Sequence, residues 1–275
     1  MDYQDILYDV SENIATITLN RPDRLNAWTT TMGNEYRHAL DDAEGRDEVR
    51  VIILTGAGRG FCAGLDMTQL TNIADGNVVV SASSDSKEPS ANGNPSLVNF
   101  REGVSFPPSV SKPIIGAING PAAGLGFVHA LYCDIRFASD TAKFTTAFVR
   151  RGLIAEAGIS WMLPKLIGLQ NGLDLLLSGR VVMADEAKEM GLVSRVLPAE
   201  DLMETVREYA REMAVYSSPR STRIIKRQIY DAVFMNLAEA MDAANIEMEK
   251  STTTEDFKEG VASFLERRPP QFTGK

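Results

Sequence analysis

Residues 113–158 read PIIGAINGPAAGLGFVHALYCDIRFASDTAKFTTAFVRRGLIAEAG, and this segment decides the fold. It opens with an apolar, β-branched run at 114–118 that predicts a strand. The run breaks at 119–121, and an apolar pattern of helical spacing starts at Leu125. A strand–turn–helix junction directs unpaired backbone N–H groups, and the positive end of the helix dipole, at one point. The junction therefore predicts a place where a developing negative charge is stabilised.

A single carboxylate follows this junction about thirty residues later. Glu156 is the only acidic residue in the apolar run 153–163. A site for an anion and a lone carboxylate within one segment predict chemistry that passes through an enolate. The alternative is a surface glutamate at the start of a helix, which the residues alone favour.

Composition narrows the class of protein. The chain has 275 residues, of which 44% are hydrophobic and 24% charged, as in a globular protein of one large or two small domains. The sequence contains no run of 18 apolar residues and starts with acidic rather than basic residues, which predicts a cytoplasmic protein that does not enter a membrane. A net charge of −9 disfavours nucleic acid and anionic membranes as partners. With two cysteines, two histidines and no CxxC or HExxH motif, no metal site is expected.

A second strand–loop–helix junction lies earlier in the chain. The apolar run 51–55 predicts a strand buried on both faces, like the alternating run 14–19 before it. The run 51–55 leads into the glycine-dense loop 56–66. Glycines serve tight turns in any α/β protein, so either loop alone is weak evidence. The loop is not a dinucleotide-binding turn, because no acidic residue ends a second strand about 20 positions further on.

The chain changes character after Pro198. Strands with helical crossovers precede this residue, and only helical patterns follow it, at 201–216, 222–234, 237–250 and 255–267. We therefore expect an α/β core at 1–198 and a C-terminal helical region at 199–275. The polar segment 74–99 is expected to be a mobile insertion or lid.

Several motifs together resemble one family. They are ATITLNRPDRLNAW at 15–28, GRGFCAGLD at 58–66, INGPAAGLGF at 118–127, CDIRFASDTAKF at 133–144, GLVSRVLP at 191–198 and EGVASFLERRPP at 259–270. In this combination the chain resembles the crotonase superfamily, the enoyl-CoA hydratases and isomerases. The resemblance implies a crotonase-like spiral of ββα units, a C-terminal helical trimerisation region and a homotrimer or homohexamer. It also implies an acyl-CoA substrate, with no cofactor beyond the coenzyme A of that substrate.

The resemblance also implies roles for individual residues. In the family two backbone N–H groups bind the thioester oxygen, and by motif position these belong to Leu65 and Leu125. Hydratases of the family use two glutamates, whose positions hold Val128 and Phe148 here. Glu156 resembles the single catalytic carboxylate of the Δ3-Δ2-enoyl-CoA isomerases. The sequence therefore predicts a double-bond shift by one base, and the apolar neighbours of Glu156 are expected to raise its pKa.

Other readings stay open at this point. Within the family the alternatives are enoyl-CoA hydration and hydrolysis of a CoA ester. From a different class, the chain could be a non-catalytic binder of CoA esters or an RNA-binding relative. The acidic net charge argues against RNA.

The expected contacts with substrate extend around these residues. The candidates are Arg24, Leu25, Ala27, Ala63, Gly64, Asp66, Gly124, Phe148, Trp161, Phe264 and Arg267. For each arginine a solvated surface charge is the alternative, and the pair at 150–151 could face solvent or a neighbouring subunit. His129 is expected to be a packed core histidine, and Asp66 and Asp134 to tie down ends of loops or strands. The apolar face of Leu202, Val206, Tyr209 and Met213 is expected to pack between subunits.

Overall fold

The computed structural model of the chain describes residues 2–77, 100 and 103–275. Its strands fall into a sheet of six, in the order β1-β2-β3-β4-β6-β9, and a sheet of three, in the order β5-β7-β8. In chain order the strands are β1 (Ile6–Ser11), β2 (Ile14–Leu19), β3 (Val51–Gly56), β4 (Ile114–Ile118), β5 (Ala122–Ala123), β6 (Ile135–Ser139), β7 (Lys143–Thr145), β8 (Val182–Met183) and β9 (Arg195–Leu197).

The larger sheet is parallel except at one edge. From β2 to β9 neighbouring strands run parallel, and only β1 pairs antiparallel with β2. Every residue of β3 and β4 is buried, as in strands covered on both faces. The strands predicted at 14–19, 51–55 and 114–118 are confirmed. The sequence missed β1, because at the edge of the sheet its residues are mostly part-exposed and give no apolar run.

Ten helices surround the sheets within the described residues. They are α1 (Thr30–Gly45), α2 (Met67–Ala74), α3 (Leu125–Leu131), α4 (Ile159–Ile167), α5 (Leu169–Ser178), α6 (Ala184–Glu189), α7 (Leu202–Tyr216), α8 (Pro219–Ala232), α9 (Leu237–Ser251) and α10 (Glu255–Glu266). The predicted helix start at Leu125 is confirmed. The sequence missed α4, which carries Pro164 inside it, because an internal proline is normally a sign that a helix ends.

Helix α7 covers one face of the large sheet. Leu202 and Val206 are 1% and 0% exposed, and they pack against sheet residues such as Ile53 and Phe137. Tyr209 and Met213 pack against the same cluster. The expectation that this apolar face lies between subunits is therefore wrong. A parallel sheet has two apolar faces, and α7 is needed to bury the second one within its own chain.

The remaining C-terminal helices leave apolar side chains in solvent. Examples are Ile229, Leu237, Met241, Phe264 and Leu265, which are all exposed by 55% or more of their surface. The predicted boundary at residue 198 stays a prediction, and α7, which follows it, packs on the sheet.

Helix α8 is tied to the sheet by a partly buried carboxylate. Asp134 accepts hydrogen bonds from Lys226 Nζ at 2.7 Å, from Tyr230 Oη at 2.9 Å and from Ile114 N at 2.7 Å. The prediction that Asp134 ties down a strand end is thus confirmed.

Most of the expected lid, at 78–99, lies outside the described residues, and Ala74 is the last residue of α2.

The described residues contain neither a candidate membrane span nor a candidate metal site. None of the helices there combines the length and the apolar character needed to cross a bilayer. Histidine, cysteine, aspartate and glutamate side chains in that part of the chain form no group of three that could hold a metal ion.

Candidate active site

The loops that follow β3 and β4 meet around a cavity of about 540 Å³. The carboxyl ends of parallel strands commonly hold such sites. Leu65, Leu125 and Glu156, the three residues expected to carry the chemistry, all line the cavity. Of the expected substrate contacts, its wall contains Arg24, Ala27, Ala63, Gly64, Asp66, Gly124 and Phe148.

The two loops are in direct backbone contact. Ala123 N donates a hydrogen bond to Cys62 O at 3.0 Å, and Cys62 N donates to Pro121 O at 3.1 Å. A Cβ atom on Gly126 would lie only 2.0 Å from Cys62 O. Because a backbone atom occupies that space, only glycine permits this approach. Gly126 therefore fixes where the N-terminus of α3 lies relative to the first loop.

Two asparagine side chains hold the loop that follows β3 by hydrogen bonds to its carbonyl groups. Asn26, which is fully buried, donates from Nδ2 to Ala57 O at 2.9 Å and to Gly60 O at 2.8 Å. Asn119, from the second loop, donates from Nδ2 to Gly58 O at 2.9 Å. These bonds satisfy carbonyl groups of a turn whose backbone is not paired within a helix or a strand.

Leu65 presents a free backbone N–H at the cavity. Trp28 N donates to Gly64 O at 2.7 Å, and Asp66 N donates to Trp28 O at 2.9 Å. In a planar trans peptide the C=O and N–H groups point in opposite directions. Because Gly64 O faces Trp28, the N–H of Leu65 points away from Trp28, and within residues 2–77, 100 and 103–275 it has no acceptor.

Leu125 presents a second free N–H. It is the first residue of α3, and Gly124 O accepts the first bond of that helix from Val128 N at 3.0 Å. The N–H of Leu125 is one of the unpaired donors at a helix N-terminus and finds no acceptor in the part of the chain described. Gly64 has φ +95°, and a Cβ atom there would lie 3.7 Å from Leu125 N. The two peptides that carry the free N–H groups are therefore neighbours.

Glu156 lies in a loop anchored by α3. Tyr132 Oη donates to Ala157 O at 2.7 Å, and Ala157 has φ +56°, a conformation that an alanine adopts only when its surroundings impose it. By surface area Glu156 is an exposed residue. Protein atoms nevertheless crowd its carboxyl group, and this partial burial raises its pKa, which strengthens it as a base. The direction of the shift is the one predicted.

Asp66 is the other carboxylate in the cavity wall, and its oxygens have protein partners. Arg21 Nη1 lies 2.9 Å from Asp66 Oδ2, and Thr68 N donates to Asp66 Oδ1 at 3.0 Å. The hydrogen bond from Arg21 and the one from Thr68 hold the pKa of Asp66 below its ordinary value. Asp66 thus ties down the loop end, as predicted, and caps α2.

The two positions that hold glutamates in hydratases carry apolar side chains here. Val128 is fully buried, and Phe148 is 5% exposed and lines the cavity. Neither side chain can accept or donate a proton. Among the described residues of the cavity wall, only Glu156 combines a carboxyl group with freedom from an ion pair.

Four expected substrate contacts lie outside the cavity wall. Leu25 contributes its carbonyl to the loop, accepting from Ala63 N at 2.9 Å. Trp161 packs its ring against aromatic side chains on another side of the core. Phe264, which is 81% exposed, and Arg267 lie at the end of α10. Binding of substrate by these four residues stays a prediction.

The cavity also contains residues that the sequence reasoning missed. They are Met67, Thr68, Leu70, Ile73, Thr146, Arg151 and Leu153. The apolar spacing of Met67, Leu70 and Ile73 is that of a helix face and could have been found. Nothing in the sequence decided where Arg151 lies, and the structure places it at the cavity rather than only in solvent.

His129 is a core residue, as predicted. It is 1% exposed and stacks on Trp28 with 3.7 Å between ring centroids. Burial lowers its pKa to about 3, so the ring is neutral at physiological pH. It does not line the 540 Å³ cavity.

A second large cavity, of about 480 Å³, opens at the other end of β3. Its wall mixes charges of both signs, from Glu44, Asp47, Arg50, Lys112, Arg220 and Arg223. Two of these cations already bind backbone carbonyls, Lys112 at Ala43 and Arg50 at Ala214. The converging free N–H groups and the unpaired carboxylate are found at the first cavity.

Comparison with known proteins shows the family of the chain. The family model described as enoyl-CoA hydratase/isomerase matches residues 9–275. A 1,2-epoxyphenylacetyl-CoA isomerase of Escherichia coli (strain K12) is 36% identical over 98% of both chains. A probable enoyl-CoA hydratase of Rhodobacter capsulatus is 34% identical over 100% of both.

Solved structures show the same architecture. An enoyl-CoA hydratase subunit from Geobacillus kaustophilus HTA426 superposes with a TM-score of 0.84 and 34% identity over 100% of both chains. A putative enoyl-CoA hydratase from Streptomyces coelicolor A3(2) gives a TM-score of 0.86 at 30% identity, covering 100% of this chain and 96% of that one. The α/β fold expected from the motifs, that of the crotonases, is confirmed.

Proposed function

The chain belongs to the enoyl-CoA hydratase/isomerase family, and on that premise we propose that it is an acyl-CoA isomerase. The reaction is a shift of a carbon–carbon double bond from C3 to C2 of the acyl group, with Glu156 as its single base. The observation that carries this proposal is the makeup of the cavity wall. Among the described residues, that wall holds one unpaired carboxylate and two free N–H groups, while the hydratase positions carry Val128 and Phe148.

The N–H groups of Leu65 and Leu125 bind the thioester oxygen. Removal of a proton next to a thioester places negative charge on that oxygen, and two preorganised donors stabilise it in the transition state. Each such donor is worth roughly 3 kcal/mol in mutational studies of other enzymes. The backbone donates, so leucine side chains are compatible with the role and instead shape the acyl pocket.

Glu156 moves one proton between two carbons. Its carboxylate takes a proton from C2 of a 3-enoyl-CoA, the C2–H bond breaks, and the electron pair enters a dienolate whose charge lies on the thioester oxygen. The resulting carboxyl group returns the proton to C4, and the double bond forms between C2 and C3. No water and no redox partner enters, and the carboxylate is regenerated.

Hydration is the less supported reaction. It needs water activated at one carbon and a proton delivered at its neighbour, normally by two acid–base groups. The name of the Escherichia coli relative supports isomerisation as the class of reaction. It also places ring-bearing acyl-CoA esters among the substrates to be tested.

The variant Glu156→Gln tests the proposal. Glutamine keeps the size of the side chain but accepts no proton, so kcat is expected to fall by roughly 10²–10⁴-fold while KM changes little. In the wild type, kcat/KM is expected to fall as pH drops through the pKa of Glu156, which lies above the ordinary glutamate value. The assay follows 3-enoyl-, 2-enoyl- and aryl-CoA esters by mass spectrometry. Glu189→Gln, on the exposed face of α6, is the matched control and should behave as wild type.

The products separate the alternatives. An isomer has the mass of its substrate, a hydrated product gains one water, and a hydrolase releases free CoA. Near wild-type isomerisation by folded Glu156→Gln would contradict the single-base mechanism. A chain that binds every ester and converts none would be a binder of CoA esters.

We also propose that the chain assembles as a homotrimer or homohexamer. The exposed apolar side chains of α8, α9 and α10 support this, because a large apolar surface in water favours association. Light scattering measures the assembly directly, and a particle of the 30.1 kDa chain mass would contradict it.

A further inference from the structure

A chain of hydrogen bonds connects the partly buried cation of Arg21 with the free N–H of Leu65. Arg21 Nη1 donates to Ala27 O at 2.6 Å. The N–H of the same peptide belongs to Trp28, and it donates to Gly64 O at 2.7 Å. The N–H of that next peptide is the one that Leu65 presents to the cavity.

The orientation of this chain is fixed by peptide geometry. The chain has no cis peptide bonds among the described residues, so each carbonyl points opposite to the N–H of its own peptide. The dipoles of the Ala27–Trp28 and Gly64–Leu65 peptides are therefore aligned head to tail, with the guanidinium group at one end. Hydrogen bonds in such a series polarise one another.

Arg21 is held at the head of this series from two sides. Asp66 Oδ2 lies 2.9 Å from its Nη1, and Asp5 Oδ1 lies 3.8 Å from its Nε. The arginine side chain is 23% exposed and does not belong to the cavity wall. The hydrogen-bonded connection from Arg21 to the N–H of Leu65 therefore runs through the two peptides between them.

We propose that Arg21 is a positioning residue that orients and polarises the N–H of Leu65 through the Ala27–Trp28 and Gly64–Leu65 peptides. The inference rests on the proposed function, since it assumes that Leu65 donates to a thioester oxygen. Polarisation makes this N–H a stronger donor when negative charge develops on that oxygen. Asp66 fixes the position of the guanidinium group.

The experiment measures the strength of the Leu65 N–H as a hydrogen-bond donor without relying on turnover. Hexanoyl-CoA labelled with ¹³C at its carbonyl has no double bond to move, and its infrared carbonyl stretch shifts to lower frequency when donors bind the oxygen. Arg21→Gln should reduce this shift by roughly 10–30% and lower kcat for a 3-enoyl-CoA about 10-fold, with KM little changed. Arg21→Lys keeps the charge and should recover most of both losses.

Two further variants serve as references. Arg211→Gln breaks an arginine–glutamate pair with Glu12 (2.7 Å) away from the cavity and should leave the shift unchanged. Glu156→Gln should lower kcat by roughly 10²–10⁴-fold yet keep the wild-type shift, because it leaves both donors in place.

The outcomes decide between the two proposals. A wild-type shift in folded Arg21→Gln overturns the role of Arg21, while leaving the proposed function standing. If Arg21→Gln does not fold, Arg21→Lys and Asp66→Asn decide. A carbonyl stretch in folded Arg21→Lys at the frequency of the unbound thioester overturns the role of Arg21. Absence of any shift in the wild type overturns the proposed donors themselves, and the role of Arg21 with them.

Discussion

The two proposed donors differ in how the chain holds them. Leu125 is the first residue of a helix, and its loop is fixed by backbone contact at Gly126, where a Cβ atom would meet Cys62 O at 2.0 Å. Leu65 belongs to no helix or strand, and an isolated bridge to Trp28 holds it. The end of its loop is anchored by the ion pair between Arg21 and Asp66.

The two loops differ in the force that positions the backbone N–H group, which is steric contact for Leu125 and an ion pair for Leu65. Steric contact acts over a fraction of an ångström and depends on neither pH nor salt. An ion pair acts over a longer distance, and protonation of the carboxylate removes it. The structure thus combines one proposed donor, Leu125, whose loop is fixed by steric contact, with another, Leu65, whose loop is anchored by an ion pair. Separate substitutions can remove the steric contact and the ion pair.

The largest expected effect comes from Gly126→Ala. The added Cβ meets a backbone oxygen that cannot move aside, so the two loops must separate. We expect a loss of about 1–3 kcal/mol in the free energy of unfolding and a fall in kcat of roughly 100-fold or more. Urea denaturation and the isomerase assay measure the two quantities.

Gly45→Ala is the control for this substitution. Gly45 ends α1, and nothing lies within 4 Å of where its Cβ would be, so the change should be neutral or slightly stabilising. Wild-type stability and activity in Gly126→Ala would mean that steric contact does not fix the Leu125 loop.

The variant Leu125→Pro removes the donor and leaves its loop intact. Proline is tolerated at the first position of a helix, and the N–H it removes has no acceptor within residues 2–77, 100 and 103–275, so the fold should persist. We expect kcat to fall roughly 100-fold or more. Leu125→Ala should keep substantial turnover while changing the preferred chain length of the acyl group. Equal activity of the two folded variants would show that this N–H is not used.

The smallest effect is expected from Asp66→Asn. Asparagine still caps α2, so the variant isolates the ion pair with Arg21, worth about 1 kcal/mol when partly buried. The folded state holds the pKa of Asp66 below its ordinary value. Its contribution is therefore complete above the unfolded pKa, about 3.9, and is lost as pH falls through the folded pKa.

The measurement is the free energy of unfolding of wild type, Asp66→Asn and Gly126→Ala as a function of pH. The difference in the free energy of unfolding between wild type and Asp66→Asn should be present at neutral pH and shrink below about pH 4. The penalty of Gly126→Ala should stay constant over the same range. A pH-independent difference for Asp66→Asn would argue against the charged anchor.

Much of this arrangement could be predicted from the sequence. The unbroken apolar runs at 51–55 and 114–118 indicated central parallel strands, because only strands buried on both faces carry such runs. The glycine-rich loops after them indicated where backbone approaches backbone. The cavity then brings together Leu65, Leu125 and Glu156, which the sequence had singled out.

Other parts depend on contacts between distant segments. The role of Arg21 was not predicted, because an arginine after a strand looks like any solvated charge until its partners at Ala27 and Asp66 are known. The apolar pattern of α7 predicts an interface between subunits, whereas the helix packs on its own sheet, because an apolar helix face does not say which surface covers it. The sequence does not decide the position of Arg151 for the same reason.

The contact between the two loops also has a consequence for how the chain is made. Cys62 and Ala122 form a bridge although about 60 residues separate them. A ribosome releases the first loop well before the second, so the edge of β3 that pairs with β4 stays open until β4 has emerged. Closing so long a connection is slow compared with forming a helix. The proposed pair of donors thus cannot form until the chain has been synthesised beyond Leu125.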